Sequence, residues 1–296
     1  MRMQGRRESS NVKDIRGRGG MKMAGGVGLG GLVLVALFAY LTGGNPVSAL
    51  LEAVTGGAGG AGIEAGAAGG GTGTYEPTPE EQELAKFASQ VLAGTEDAWS
   101  GIFEKAGRTY EAPTLVLFTD AVQSGCGGAS KQVGPFYCSA DRCLYIDLTF
   151  FSNMRRELGA DGDFAYAYVI GHEVGHHVQN LLGTLGEAHA KMAKLDKEAA
   201  NRISVRLELQ ADFLAGVWAH HDNARFGSLE DGDIEEAIRC AQVIGDDYLQ
   251  KKARGTVQPE TFTHGKSESR MKWFKRGYDT GDLREGDTFS VSFEEL

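Results

Sequence analysis

Gly171-His172-Glu173-Val174-Gly175-His176-His177, inside an apolar run from Asp163 to Leu182, decides the reading of this chain. The run predicts a helix over 163–182. On a helix, residues i and i+4 point the same way, so His172 and His176 can offer two imidazole nitrogens to one ion. Glu173 follows the first histidine and faces the rim of such a site, where it can take a proton from water without being a ligand. Val169, Ile170, Val174 and Val178 mark the helix as largely buried, and buried neutral histidines need partners.

Two ligands do not complete a zinc site. The pattern H-E-x-x-H-x-x-G-x-x-H fails, because Gln179 and Leu182 stand at its glycine and third-histidine positions. A downstream helix supplies a better third ligand in Glu208-Leu209-Gln210-Ala211-Asp212. Glu208 and Asp212 share one helical face amid Val205, Leu209, Phe213, Leu214 and Val217, too apolar a setting for a surface acidic pair. Glu208 is expected to ligate, and Asp212 to accept the N–H of a ligating histidine and fix its tautomer.

His177 points about 100° away from His176 and reads as structural. His189, His220 and His221 lie in polar helical stretches and read as surface residues. His264, in the loop Thr263-His264-Gly265, is the expected donor to the oxyanion of a tetrahedral intermediate, ahead of Tyr248 and Tyr278.

Outward from the motif, Thr78-Pro79-Glu80-Glu81 forms a capping box with proline at the first helical position, opening a helix to about Lys105. Thr114–Phe118 reads as a strand, and Cys143–Phe150 as a second, with a Gly-rich loop between them. Further helices are expected at 151–159, 186–221 and 233–250. A few early strands followed by helices make an α+β domain over residues 77–296, mostly helical with a small sheet. The strand around Tyr145 to Phe150 is the expected edge for an extended substrate.

The 296 residues carry a net charge of -10, yet residues 1–22 hold seven basic side chains against Glu8 and Asp14. Nucleic acid, which needs a broad cationic face, is therefore not the expected partner. The basic segment 1–22 fits the cytoplasmic flank of a membrane helix over 23–44, since no charge occurs from Met23 to Leu51. Ten of the nineteen residues from Gly56 to Thr74 are glycine, so 45–76 reads as a flexible linker with a root-mean-square reach of about 30 Å. This arrangement puts the folded domain outside the cytoplasm, where its cysteines are expected to pair as Cys126–Cys138 and Cys143–Cys240.

The chain resembles the bacterial neutral zinc metallopeptidases anchored in the membrane. The resemblance spans nearly the whole chain. It is carried by Arg6-Arg7-Glu8-Ser9, Gly134–Cys138, Tyr145–Leu148, Leu158–Ala165, Gly171–Gln179, Ser204–Arg206, Glu208–Asp212, Ile244–Asp247 and Phe262–Gly265. It departs at Phe213, where members of the family often carry cysteine. The Glu-x-x-x-Asp and the later histidine are also similar to thermolysin-type zinc proteases. That likeness implies a zincin-like fold and one zinc ion on His172, His176 and Glu208, with Glu173 and His264 catalytic. The expected function is cleavage of peptides or proteins at the outer side of a bacterial inner membrane. The alternative is a zinc-stabilised scaffold of the envelope without catalysis, which would have no need of Glu173.

Overall fold

The computed structural model describes residues 1–17 and 75–296. The expected membrane helix over 23–44 and nearly all of the linker lie outside the described residues. Among the described residues no helix is long and apolar enough to cross a membrane.

The chain enters the fold through β1 (Val12–Asp14) and then α1 (Pro79–Lys105), which starts at Thr78 with both hydrogen bonds of the capping box in place. Next come β2 (Thr114–Phe118), a hairpin of β3 (Ala121–Ser124) and β4 (Gly127–Ser130), β5 (Phe136–Cys138) and β6 (Cys143–Asp147). β1, β2, β6 and β5 form one sheet in that order, with β5 alone antiparallel to its neighbour. Leu115, Leu117, Leu144 and Ile146 face the helical core. Val116, Phe118 and Tyr145 pack on the other side with Val122, Ala129 and Val133 from the hairpin region. Burial on both faces explains the unbroken apolar run in β2.

Two sequence expectations about the sheet are corrected. β6 stops at Asp147, because the Asp147 carboxylate accepts from the backbone and hydroxyl of Thr149 and turns the chain into α2 (Thr149–Asn153). β6 is also an interior strand, paired to β2 on one side and β5 on the other, so it cannot offer a substrate edge. Among the described residues the edges are β1 and β5.

α3 (Asp163–Leu182) has the expected bounds. The single helix expected over 186–221 is instead α4 (Thr184–Met192) and α5 (Lys197–Phe226), the second started by Asp196, whose side chain accepts from the Ala199 N–H. The helix over 233–250 likewise splits into α6 (Asp233–Val243) and α7 (Asp246–Arg254), separated at Gly245. α8 (Ser267–Thr280) was not expected at all. It packs tightly along α5: a methyl group at Gly216 or Gly277 would overlap the backbone of the opposite helix.

Cys126 and Cys138 are bonded, tying the edge strand β5 to the β3–β4 hairpin. The second expected disulfide is absent. Cys143 is half-buried on β6, while Cys240 is buried on α6 with its sulfur 3.6 Å from that of Met154. The segment expected as basic and cytoplasmic, 1–22, contributes a strand within its described part: β1 pairs with β2 in register Val12 to Leu115, so Val12–Asp14 belong to the same sheet as the rest.

Candidate metal centre

α3 brings His172 and His176 together on one face, their ring centroids 4.8 Å apart. Each Nδ1 has an acceptor: Asp212 Oδ1 at 2.8 Å for His172, and Gln179 Oε1 at 2.9 Å for His176. With Nδ1–H donating outward, each Nε2 keeps a lone pair for the interior of the site. Both Nε2 atoms turn to the Glu208 carboxylate on α5, at 3.2 Å and 3.5 Å. The three ligand atoms lie within 4.8 Å of one another, spacing that suits a single small cation. Two imidazoles and a carboxylate are a donor set that zinc accepts while keeping a position open.

Gly175 makes this convergence possible. A methyl group there would sit 2.8 Å from the Ala211 carbonyl oxygen of α5. Without it, α3 and α5 approach closely enough for the Glu208 side chain to reach both histidines.

Behind the ligands lies a buried polar network. Asp212 is fully buried and accepts from His172, from the Tyr168 hydroxyl at 2.5 Å, and from Arg270 Nε and Nη2 at 2.8 and 2.9 Å. Burial opposes its ionisation, but Arg270 and His172 outweigh that and hold it at about 2. Burial likewise opposes a proton on His172, yet Asp212 and Glu208 together raise its pKa to about 10. Glu208 is held well below the usual range against its burial, chiefly by His176 and His264. The pocket is therefore strongly anionic toward its own imidazoles. A divalent cation would fill the role that protons otherwise take.

Glu173 is buried beside His172, His176 and Glu208 but is not part of that group. Burial raises its pKa, with His176 and His172 opposing. The nearby backbone of Tyr137 on β5 opposes the rise to a smaller extent. His264 sits where its charge and that of Glu208 act on each other, and Glu208 and Asp246 raise its pKa against burial. Asp246 fixes this loop. One oxygen accepts the backbone N–H groups of Thr263, His264 and Gly265 at 2.7, 2.6 and 2.9 Å, and the other lies 3.3 Å from His264 Nδ1.

The remaining histidines stand elsewhere. His177 is fully buried, its Nε2 donating to the Glu111 carbonyl at 2.7 Å and its Nδ1 accepting from the Tyr137 hydroxyl at 3.0 Å. Burial lowers its pKa to about 4, so it is a neutral structural residue. His189 is exposed, as expected. His220 and His221 are half-buried rather than on the surface, bonded to the carbonyls of Tyr278 and Gly281. Tyr278 packs against His220 and Tyr248 against the core.

Sequence reasoning missed Gln179, Tyr168, Asp246 and Arg270. Gln179 and Tyr168 were findable, being one turn from His176 and His172 on the same helix. Arg270 was not, because α8 itself went unread.

A buried helix carrying His-Glu-x-x-His, crossed by a second helix that supplies Glu208 and Asp212, defines a metal-centre class of mixed α and β architecture. Residues 1–289 match the model described as putative neutral zinc metallopeptidase, and the chain belongs to that family. It is 46% identical over 308 residues to the uncharacterized protein YpfJ of Escherichia coli, covering 99% of this chain and 100% of that one. It is 40% identical over 217 residues to the uncharacterized protein Rv2575 of Mycobacterium tuberculosis, covering 70% of this chain and 72% of the relative. No solved structure matches.

Proposed function

We propose that this chain is a zinc-dependent endopeptidase that hydrolyses peptide bonds outside the cytoplasm. One observation carries the reading: His172 Nε2, His176 Nε2 and the Glu208 carboxylate converge within 4.8 Å, with a buried carboxyl, Glu173, beside them and not among them. A purely structural metal site would have no use for that extra carboxyl. When bound, zinc supplies a Lewis acid that activates water and polarises the scissile carbonyl.

The chain's own residues do the rest. Glu173, its pKa raised by burial, takes the proton of the attacking water and passes it to the leaving amine. His264, held by Asp246, donates to the oxyanion. An extended substrate adds to β5, an edge strand among the described residues, whose Tyr137 backbone lies near Glu173. The Cys126–Cys138 bond on that strand supports an oxidising compartment. The uncharged stretch Met23–Leu51 supports attachment at a membrane.

The test is Glu173→Gln, which keeps size and removes the proton acceptor. Bound zinc should stay at one per chain while cleavage of an unstructured protein falls by orders of magnitude. Stoichiometric zinc with no cleavage by the unaltered protein would favour the scaffold instead.

A further inference from the structure

We infer that residues 1–17 lie on the same side of the membrane as residues 75–296, which a single crossing between them would not allow. The inference rests on the docking of the amino-terminal segment and is independent of the zinc chemistry.

Arg6, Arg7 and Arg16, three of the basic residues that read as a cytoplasmic flank, are engaged with the folded domain. Arg6 forks onto the buried Asp222 of α5, Nη1 at 2.7 Å from Oδ2 and Nη2 on Oδ1. Arg7 pairs with Glu96 at 3.0 Å and Asp97 at 2.7 Å on α1, and donates to the Ala93 carbonyl. Arg16 donates to the Glu81 carbonyl at 3.1 Å. Uncharged groups join them. The Ser9 hydroxyl and the Asn11 amide both donate to Glu96, at 2.5 and 2.8 Å, and the Gln90 amide donates to the carbonyls of Met3 and Arg6. The backbone completes the attachment through Leu115 N–H to Asn11 at 2.8 Å and Ile15 N–H to Leu117 at 2.9 Å. Charges fixed in such pairs serve the fold, and the positive-inside rule, which concerns charges in membrane-flanking loops, loses its hold on them.

The chain also returns to the point from which it leaves. A methyl group on Gly17 would overlap the Tyr75 side chain, so the two ends of the intervening 57 residues are neighbours. A chain that leaves and returns at one place on the same domain crosses any bilayer an even number of times. The sequence from 18 to 74 contains one uncharged apolar stretch, Met23–Leu51. A single span between the two ends is therefore incompatible with the docked amino-terminal segment. The family match begins at residue 1, so the docked segment lies inside the matched unit.

The experiment uses the full-length chain with the half-buried Cys143 replaced by serine, leaving Cys240 buried and the other two cysteines bonded. Ser10→Cys and Lys194→Cys, both at exposed positions, are labelled separately with a membrane-impermeant maleimide on intact and on lysed cells. In cells with an outer membrane, that layer is first made permeable to the reagent. The two positions should behave alike. Labelling of both in intact cells supports the inference and puts the domain outside. Protection of both until lysis also supports it, while removing the extracytoplasmic placement proposed above. One position labelled and the other protected by tenfold or more until lysis would overturn it.

Discussion

A histidine ring becomes a metal ligand when something else decides which nitrogen keeps its proton. Here Asp212 does so for His172 and Gln179 for His176, and Arg270 in turn holds Asp212. Asp212→Asn should therefore lower zinc affinity or activity by roughly 10- to 100-fold, measured by competition with a chelator. Arg270→Leu should be harsher on stability, because it leaves a buried carboxylate without its main partner. A loss of about 3–5 kcal/mol in denaturant unfolding is expected. The raised pKa of His172, about 10, gives metal binding a definite sign with pH. Zinc must displace that proton, so affinity should rise by roughly tenfold per pH unit between 6 and 8 for each proton released, checked by metal titration at fixed ionic strength. In the metal-free protein the same proton stabilises the fold fully below pH 6.5, and that contribution is lost as pH rises through about 10. The grouping of His172, His176 and Glu208 was legible in the sequence, since helical spacing and apolar flanks suffice to bring them together. Arg270 was not, because its importance comes from a helix crossing and not from any local pattern.

Between elements, the site depends on how closely α3 and α5 approach and on how firmly β5 is held above them. Gly175→Ala raises local helix propensity by about 1 kcal/mol but drives a methyl group into the Ala211 carbonyl. The overpacking, about 1–3 kcal/mol, should win, and it should appear as weakened zinc binding along with a lower melting temperature. β5 is tied by Cys126–Cys138 on one side and by the Tyr137–His177 hydrogen bond on the other. His177 is held neutral, with its pKa lowered to about 4. Its contribution to stability is thus present above pH 6.5 and is lost as pH falls toward 4. Melting temperature should fall less steeply over that interval in His177→Gln than in the unaltered protein. Most helices were readable from caps and periodicity: Thr78 opens α1, and the bounds of α3 match its apolar run. α8 was missed because Arg270, Lys272, Lys275 and Arg276 mask the few apolar residues that face α5. β1 is three residues long and exists through its pairing with a strand about a hundred residues later, which no local signal encodes.

At the scale of the molecule, the amino-terminal segment and the helical core behave as one body. Arg6 and Asp222 form a nearly buried pair, with side chains 10% and 1% exposed. Arg6→Ala should cost about 3–5 kcal/mol of unfolding free energy in the full chain, as expected for an uncompensated buried charge. A segment that did not dock would leave stability unchanged. In the sequence a cluster of arginines looks the same whether it faces lipid headgroups or carboxylates on its own domain, so the docking of Arg6 and Arg7 could not be read from it. The metal centre, by contrast, makes a claim that can be observed directly. X-ray diffraction at the zinc absorption edge, on crystals of the protein grown with zinc, should give one anomalous peak. It should lie at about 2.0–2.2 Å from His172 Nε2, His176 Nε2 and a Glu208 carboxylate oxygen. A peak bonded to other residues, or none at these three in zinc-replete crystals, would contradict the assignment.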